Sequence, residues 1–182
     1  MNKAIKEMLF TREEIRAKVE ELGAMITHDF MDKDLMVIGI LKGSFIFMAD
    51  LVREINLPLL VDFMSLSSYG MSSKSTGEVR ILKDLDFSVE GRDVLVVEDI
   101  VDSGYTLKYI EDNLSRRGAN SVSFATFLDK KEARKTDVKL DYVGYVVPND
   151  FIVGYGLDYA EGYRNLPYIA SLKEEIYKIW DE

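Results

Sequence analysis

The chain has 182 residues, 47% of them hydrophobic, which suits one packed domain and argues against disorder. A net charge of -9 and a pI near 4.8 speak against nonspecific nucleic-acid binding, because that binding rests on Lys and Arg neutralising phosphates. Cysteine is absent, which excludes disulfides, thiolate nucleophiles and Cys-ligated metals, and no apolar run is long enough to span a membrane. A soluble, cytoplasmic protein with no membrane partner is expected.

Thr11, Glu13 and Glu14 have capping-box spacing, and Ile15, Val19, Leu22 and Ile26 recur at helical intervals, so a sheet-covering helix should run to about His28. His28, the only histidine, reads as a solvated helix-end residue and not as a base. Residues 35–41 are apolar without alternation, the pattern of a strand buried on both faces of a parallel sheet. Lys42-Gly43-Ser44 then leads into an apolar helix over residues 45–55. Residues 59–66 read as a third strand. The segment that follows, to Gly77, is small and polar and should be mobile.

Residues 79–82 lead back toward the sheet, and the unalternating run 94–97 is the expected central strand. It is expected to stop at Glu98 and Asp99, whose side chains should point to opposite sides of the extended backbone. Asp102, Ser103, Gly104, Tyr105 and Thr106 come next. Gly104 permits a tight turn that converges backbone N–H groups at the start of a helix through Leu107, Ile110 and Leu114 to Gly118. Such a turn can cradle a phosphate, although no G-x-x-x-x-G-K-[ST] string is present. A strand over 122–128 ends at Asp129-Lys130-Lys131. Two short strands, 141–147 and 151–155, flank the turn signal Pro148-Asn149-Asp150, and residues 172–180 read as a short final strand or helix.

The chemistry implied is a phosphate on free N–H groups, a sugar diol on paired carboxylates, and one further carboxylate available for proton transfer. Residues 94–107 resemble the phosphoribosyl pyrophosphate (PRPP) signature of the type I phosphoribosyltransferases, and residues 97–104 resemble the version carried by the hypoxanthine-guanine members. Residues 151–159, followed by Tyr163 and Arg164, are similar to the carboxy-terminal signature of the 6-oxopurine members. The resemblance spans residues 41–164 with four motifs in order. It implies an α/β fold: a central, mostly parallel, twisted sheet flanked by helices, with a small hood subdomain. All 182 residues would form one domain, its core roughly 30–147 and its hood built from the N-terminal residues and roughly 148–182.

That resemblance implies displacement of pyrophosphate from PRPP by hypoxanthine or guanine, giving IMP or GMP, with Mg2+ as cofactor. Glu98, Asp99, Asp102, Ser103, Gly104, Tyr105, Thr106 and Leu107 would hold the ribose and 5'-phosphate. Lys42, Gly43 and Arg164 would meet the pyrophosphate, in a loop that in the family often has a cis peptide at the position of Leu41-Lys42. Lys130 would donate to the purine O6, Phe151 would stack on the ring, the backbone of Ile152 would meet its Watson–Crick edge, and Asp158 would lie nearby. Glu98, Asp99 and Asp158 are the implied metal ligands, Asp102 the implied general base toward N7, and Ser68 and Tyr69 match the Ser-Tyr pair of a closing lid. Tyr105 departs from the Lys or Arg of many members. Scaffold relatives imply a homodimer or homotetramer.

Two rival readings share the scaffold: a regulator that senses PRPP or nucleotide and binds RNA or DNA, and an enzyme that prefers xanthine. The net charge of -9 and a length of only 182 residues weigh against the first.

Overall fold

The computed structural model describes residues 3–68 and 79–177, with only the backbone of Ser68 included. Tyr69, and the rest of the expected lid to Gly77, lie outside the described residues.

Six strands form the main sheet: β2 (Leu35–Leu41), β3 (Leu60–Ser68), β4 (Val79–Lys83), β5 (Asp93–Val101), β6 (Ser121–Asp129) and β7 (Tyr142–Val146). Their order is β4-β3-β2-β5-β6-β7, and every pair is parallel except β3 with β4. From β2 the chain steps outward one way, then returns beside β2 to form β5 and steps outward the other way. A crevice therefore opens between the carboxyl ends of β2 and β5, where open α/β sheets bind ligands.

Alternation along β2 and β5 divides the core. Leu35, Val37, Leu95 and Val97 pack on one face with Ile15, Val19, Leu22 and Ile26 of α1 (Arg12–Asp29) and with Phe47 and Leu51 of α2 (Phe45–Glu54). Met36, Ile38, Val94 and Val96 pack on the other face with Leu107, Ile110 and Leu114 of α3 (Tyr105–Arg116). Each such side chain contributes about 1.5–3 kcal/mol by leaving water. The predicted capping box starts α1: the Thr11 hydroxyl accepts from Glu14 N at 3.2 Å, and the Glu14 carboxylate accepts from Thr11 N at 2.8 Å.

A second, antiparallel sheet has the order β1-β9-β8, made of β1 (Ile5–Phe10), β9 (Ile169–Leu172) and β8 (Ile152–Val153). Three expectations need correction. The expected strand pair around Pro148 is not a pair, because β7 closes the large sheet while β8 belongs to the small one. β8 stops at Val153 because Gly154, Tyr155 and Gly156 all turn to positive φ. β5 does not stop at the acids but runs through them to Val101. The tail, expected as a short strand or helix, holds the single helical turn α4 (Glu174–Tyr177); β9 before it was not foreseen, because it is held by pairing with β1 near the start of the chain, which no local pattern announces.

Candidate active site

Gly39 lies opposite Val97, so the loop after β2 sits beside Glu98 and Asp99. The parity of β5 sends Glu98 to the α3 face, where it lines a cavity of about 280 Å³ with Ile40, Leu66, Asp102, Ser103 and Gly104. Asp99 goes to the other face, against Gly43: a Cβ on Gly43 would collide with the Asp99 carboxylate, so a larger residue there would push this acid aside. The Leu41-Lys42 peptide is cis. Burial, and then the neighbouring Asp99 charge, push the Glu98 carboxyl well above the usual carboxylate range. Burial also raises Asp99, against the lowering effect of its contact with Glu98, backbone N–H donors and Arg164.

Gly104 begins α3 at φ 85, a left-handed conformation that costs other residues about 1–2 kcal/mol. No side chain caps this helix, and its first internal bond is Lys108 N to Gly104 O at 3.0 Å. The N–H groups of Tyr105, Thr106 and Leu107 therefore have no acceptor within the helix and suit an anion. Residues 129–136 brace the turn from behind. Arg134 Nε donates to Asp102 O at 3.2 Å, and the N–H groups of Lys135 and Thr136 donate to Ser103 O at 3.0 and 3.2 Å. Arg134 also pairs with the buried Asp129. Next to Asp129, Lys130 reaches Asp102 Oδ1 at 3.3 Å, which brings the implied purine donor and the implied base together.

The segment after β8 closes the crevice. A Cβ on Gly156 would collide with the Gly43 carbonyl, so these two backbones are in direct contact. Arg164 donates to Gly156 O at 2.8 Å and pairs with Asp158 at 2.9 Å, while its buried Nε has no partner among the described residues. Lys42 pairs with Glu161 at 3.0 Å, and Arg164 reaches the same carboxylate at 3.4 Å. Phe151 stacks one face on Tyr177, with centroids 5.0 Å apart, and meets Tyr159 edge-on at 5.4 Å. Phe151 O accepts from Leu172 N in β9, so the alternation of an extended chain turns the Ile152 peptide groups toward the outer edge of β8.

Glu98, Asp102, Ser103, Gly104, Thr106 and Leu107 line one cavity, with Lys130 against Asp102 and Gly43 against Asp99, whereas Phe151 contacts Tyr159 and Tyr177 and the three expected metal ligands do not converge. Asp158 is held by Arg164, and no group of three or more His, Cys, Asp or Glu side chains among the described residues is arranged to hold a metal ion. Three residues of the site were not expected from the sequence as functional: Glu161, Asp129 and Arg134. Asp129 and Arg134 meet only because a 3-10 turn at Lys131–Ala133 folds the chain back, which no periodicity reveals. A larger cavity, about 640 Å³, lies between α1, α2 and residues 165–167 and is lined by Arg12, Arg16, Arg53 and Tyr155. It contains none of the expected site residues and neither of the raised carboxyls, so size is a poor guide to the chemistry here.

Comparison with known proteins places the chain in a family. A family model described as "Phosphoribosyl transferase domain" matches residues 6–160. The chain is 53% identical to the hypoxanthine-guanine phosphoribosyltransferase of Bacillus subtilis (strain 168), over 98% of this chain and 99% of that one. It is 54% identical to the Streptococcus agalactiae serotype III (strain NEM316) protein of the same name, over 95% and 96%. Among solved structures, a hypoxanthine phosphoribosyltransferase from Staphylococcus aureus superposes with a TM-score of 0.93 at 51% identity, over 97% of this chain and 96% of that one. With that identity sustained over nearly its full length, the chain belongs to the phosphoribosyl transferase family, among its hypoxanthine-guanine members.

Proposed function

We propose that this enzyme transfers the 5-phosphoribosyl group of PRPP to hypoxanthine or guanine, forming IMP or GMP and releasing pyrophosphate in purine salvage. The observation that carries the reading is the joining of an uncapped helix start, two adjacent raised carboxyls and the Lys130–Asp102 pair at the one crevice between β2 and β5.

The anomeric C–O bond breaks and its electron pair leaves with pyrophosphate, while a purine imidazole nitrogen forms the new bond to that carbon. Positive charge develops on the ribose, and charge accumulates on the leaving group. Glu98 and Asp99 accept hydrogen bonds from the ribose hydroxyls, and the N–H groups of residues 103–107, with the Ser103 and Thr106 hydroxyls, hold the 5'-phosphate. Lys42, the Gly43 backbone and Arg164 receive the pyrophosphate. Asp102 takes the N7 proton, a role that typically contributes about 10²–10⁴-fold. Lys130 donates to O6, Phe151 offers its open face to the ring, and the outer edge of β8 at Ile152 meets the base. A site built to donate to O6 leaves its donor unpaired against the amino group of adenine. The small sheet serves as the hood. Ser68 and Tyr69 as lid residues, and a homodimer or homotetramer, are proposed on family resemblance alone.

Mg2+ fits the residues present. It favours oxygen and is usually held by one or two carboxylates together with substrate phosphates, not by an all-protein cage. Glu98 and Asp99 would each offer it a carboxylate, and Asp158 would join only by exchanging its bond to Arg164. Bound there, the ion would neutralise charge on the leaving group. The decisive experiment supplies purified protein with Mg2+, PRPP and each purine in turn. Nucleotide is expected from hypoxanthine and guanine and not from adenine; no nucleotide from either oxopurine sinks the reading.

A further inference from the structure

Both cations assigned to the pyrophosphate are already engaged by a single carboxylate. Glu161 accepts from Lys42 Nζ at 3.0 Å and lies 3.4 Å from Arg164 Nη2. Its position comes from an unusual backbone: Ala160, Glu161 and Tyr163 all have positive φ, at 49, 61 and 71°. Glu161 N donates to Asp158 Oδ2 at 2.9 Å, and Tyr159 and Gly162 exchange backbone hydrogen bonds at 3.2 and 2.9 Å. A non-glycine run of this kind persists only when its surroundings hold it. Here the run presents one acid to the cations of the leaving-group subsite.

We propose that Glu161 is an affinity-setting residue of the pyrophosphate subsite, a carboxylate that occupies the two cations until a diphosphate displaces it and that takes them back as pyrophosphate leaves. The inference rests on the function proposed above and deepens it. Both contacts go to the same atom, Glu161 Oε2, so one carboxylate oxygen bridges the two cations. The pair is also easily broken. The Glu161 and Lys42 side chains are 67% and 66% exposed, and ion pairs that exposed are weak in water. A diphosphate carries more charge than one carboxylate and can meet Lys42 and Arg164 with several oxygens at once. Glu161 therefore lowers affinity at the subsite without blocking it, which favours release of the product.

The test compares the full chain with Glu161→Gln and Glu161→Ala. It measures pyrophosphate dissociation constants by calorimetry in Mg2+, and steady-state constants for PRPP and hypoxanthine. Both variants should bind pyrophosphate roughly two- to tenfold more tightly, the effect of removing one or two exposed ion-pair competitors. The PRPP Michaelis constant should fall in step, and that for hypoxanthine should stay put. The advantage should shrink as salt rises, because the competition is between exposed charges. Unchanged or weaker pyrophosphate binding in both variants would overturn the inference and make Glu161 a support for Lys42 and Arg164. If the unsubstituted protein makes no nucleotide, the parent reading falls and takes this inference with it. Nucleotide formation with an unaltered pyrophosphate constant removes this inference alone.

Discussion

Glu98 shows how the site works against the stability of the empty protein. Its folded-state proton affinity is raised by burial and by Asp99, so protonation favours the fold. That stabilisation is complete below the unfolded carboxylate value of about 4.3 and is lost as pH rises through the raised folded value. Glu98→Gln should therefore melt at a higher temperature than the parent at pH 8 in magnesium-free buffer, with the gain fading toward zero below about pH 4. Thermal melts across that range test it, and a constant gain at every pH would mean the charge is not the cause. Asp102 is placed differently. Its side chain is 56% exposed beside Lys130, and it lies outside the ribose pair. Asp102→Asn should depress turnover by about 10²–10⁴-fold while PRPP binding survives, and unchanged turnover would remove it as the base.

At the scale of elements, the turn between β5 and α3 is where backbone and function constrain each other most. A Cβ on Gly104 would be forced into a left-handed conformation 2.9 Å from Arg134 Cδ and 3.0 Å from Thr136 Cγ2. Gly104→Ala should lose about 1–2 kcal/mol from the strained φ alone, and its PRPP Michaelis constant should rise more than that for the purine. Equal effects on both substrates would argue that the turn does not hold the phosphate. This turn was legible in the sequence because its signals are local: an apolar strand, adjacent acids, a glycine and a helix period. α1 and β2 were legible for the same reason, with their patterns fully expressed within one element. β1 was not, since Lys6, Glu7 and Met8 are exposed and the strand exists only by pairing with β9. The brace of Asp129 and Arg134 and the placement of Glu161 against Lys42 were likewise hidden, because each needs the chain to return upon itself before the partners meet.

At the scale of the molecule, the two sheets have to act together, because the proposed phosphate cradle belongs to one and the proposed base platform to the other. They share a core: Ile152, Tyr155 and Ile169 pack in the same cluster as Val37, Val97 and Phe127, and the Tyr155 hydroxyl donates to Asp50 of α2 at 2.8 Å. A nucleotide bound at both ends would tie the sheets together a second time. GMP should then raise the melting temperature more than ribose 5-phosphate and guanine supplied together at the same concentrations, since joining the two parts makes the second contact intramolecular. At a hundredfold excess over its dissociation constant the shift should be about 5–10 °C for a chain of this size. Phe151→Ala should cut the GMP shift to nearly that of ribose 5-phosphate alone and leave the ribose 5-phosphate shift intact, because the cradle lies wholly in the large sheet. If GMP and the separate parts shift the parent equally, the small sheet takes no part in holding the base, and the stacking role of Phe151 fails with it.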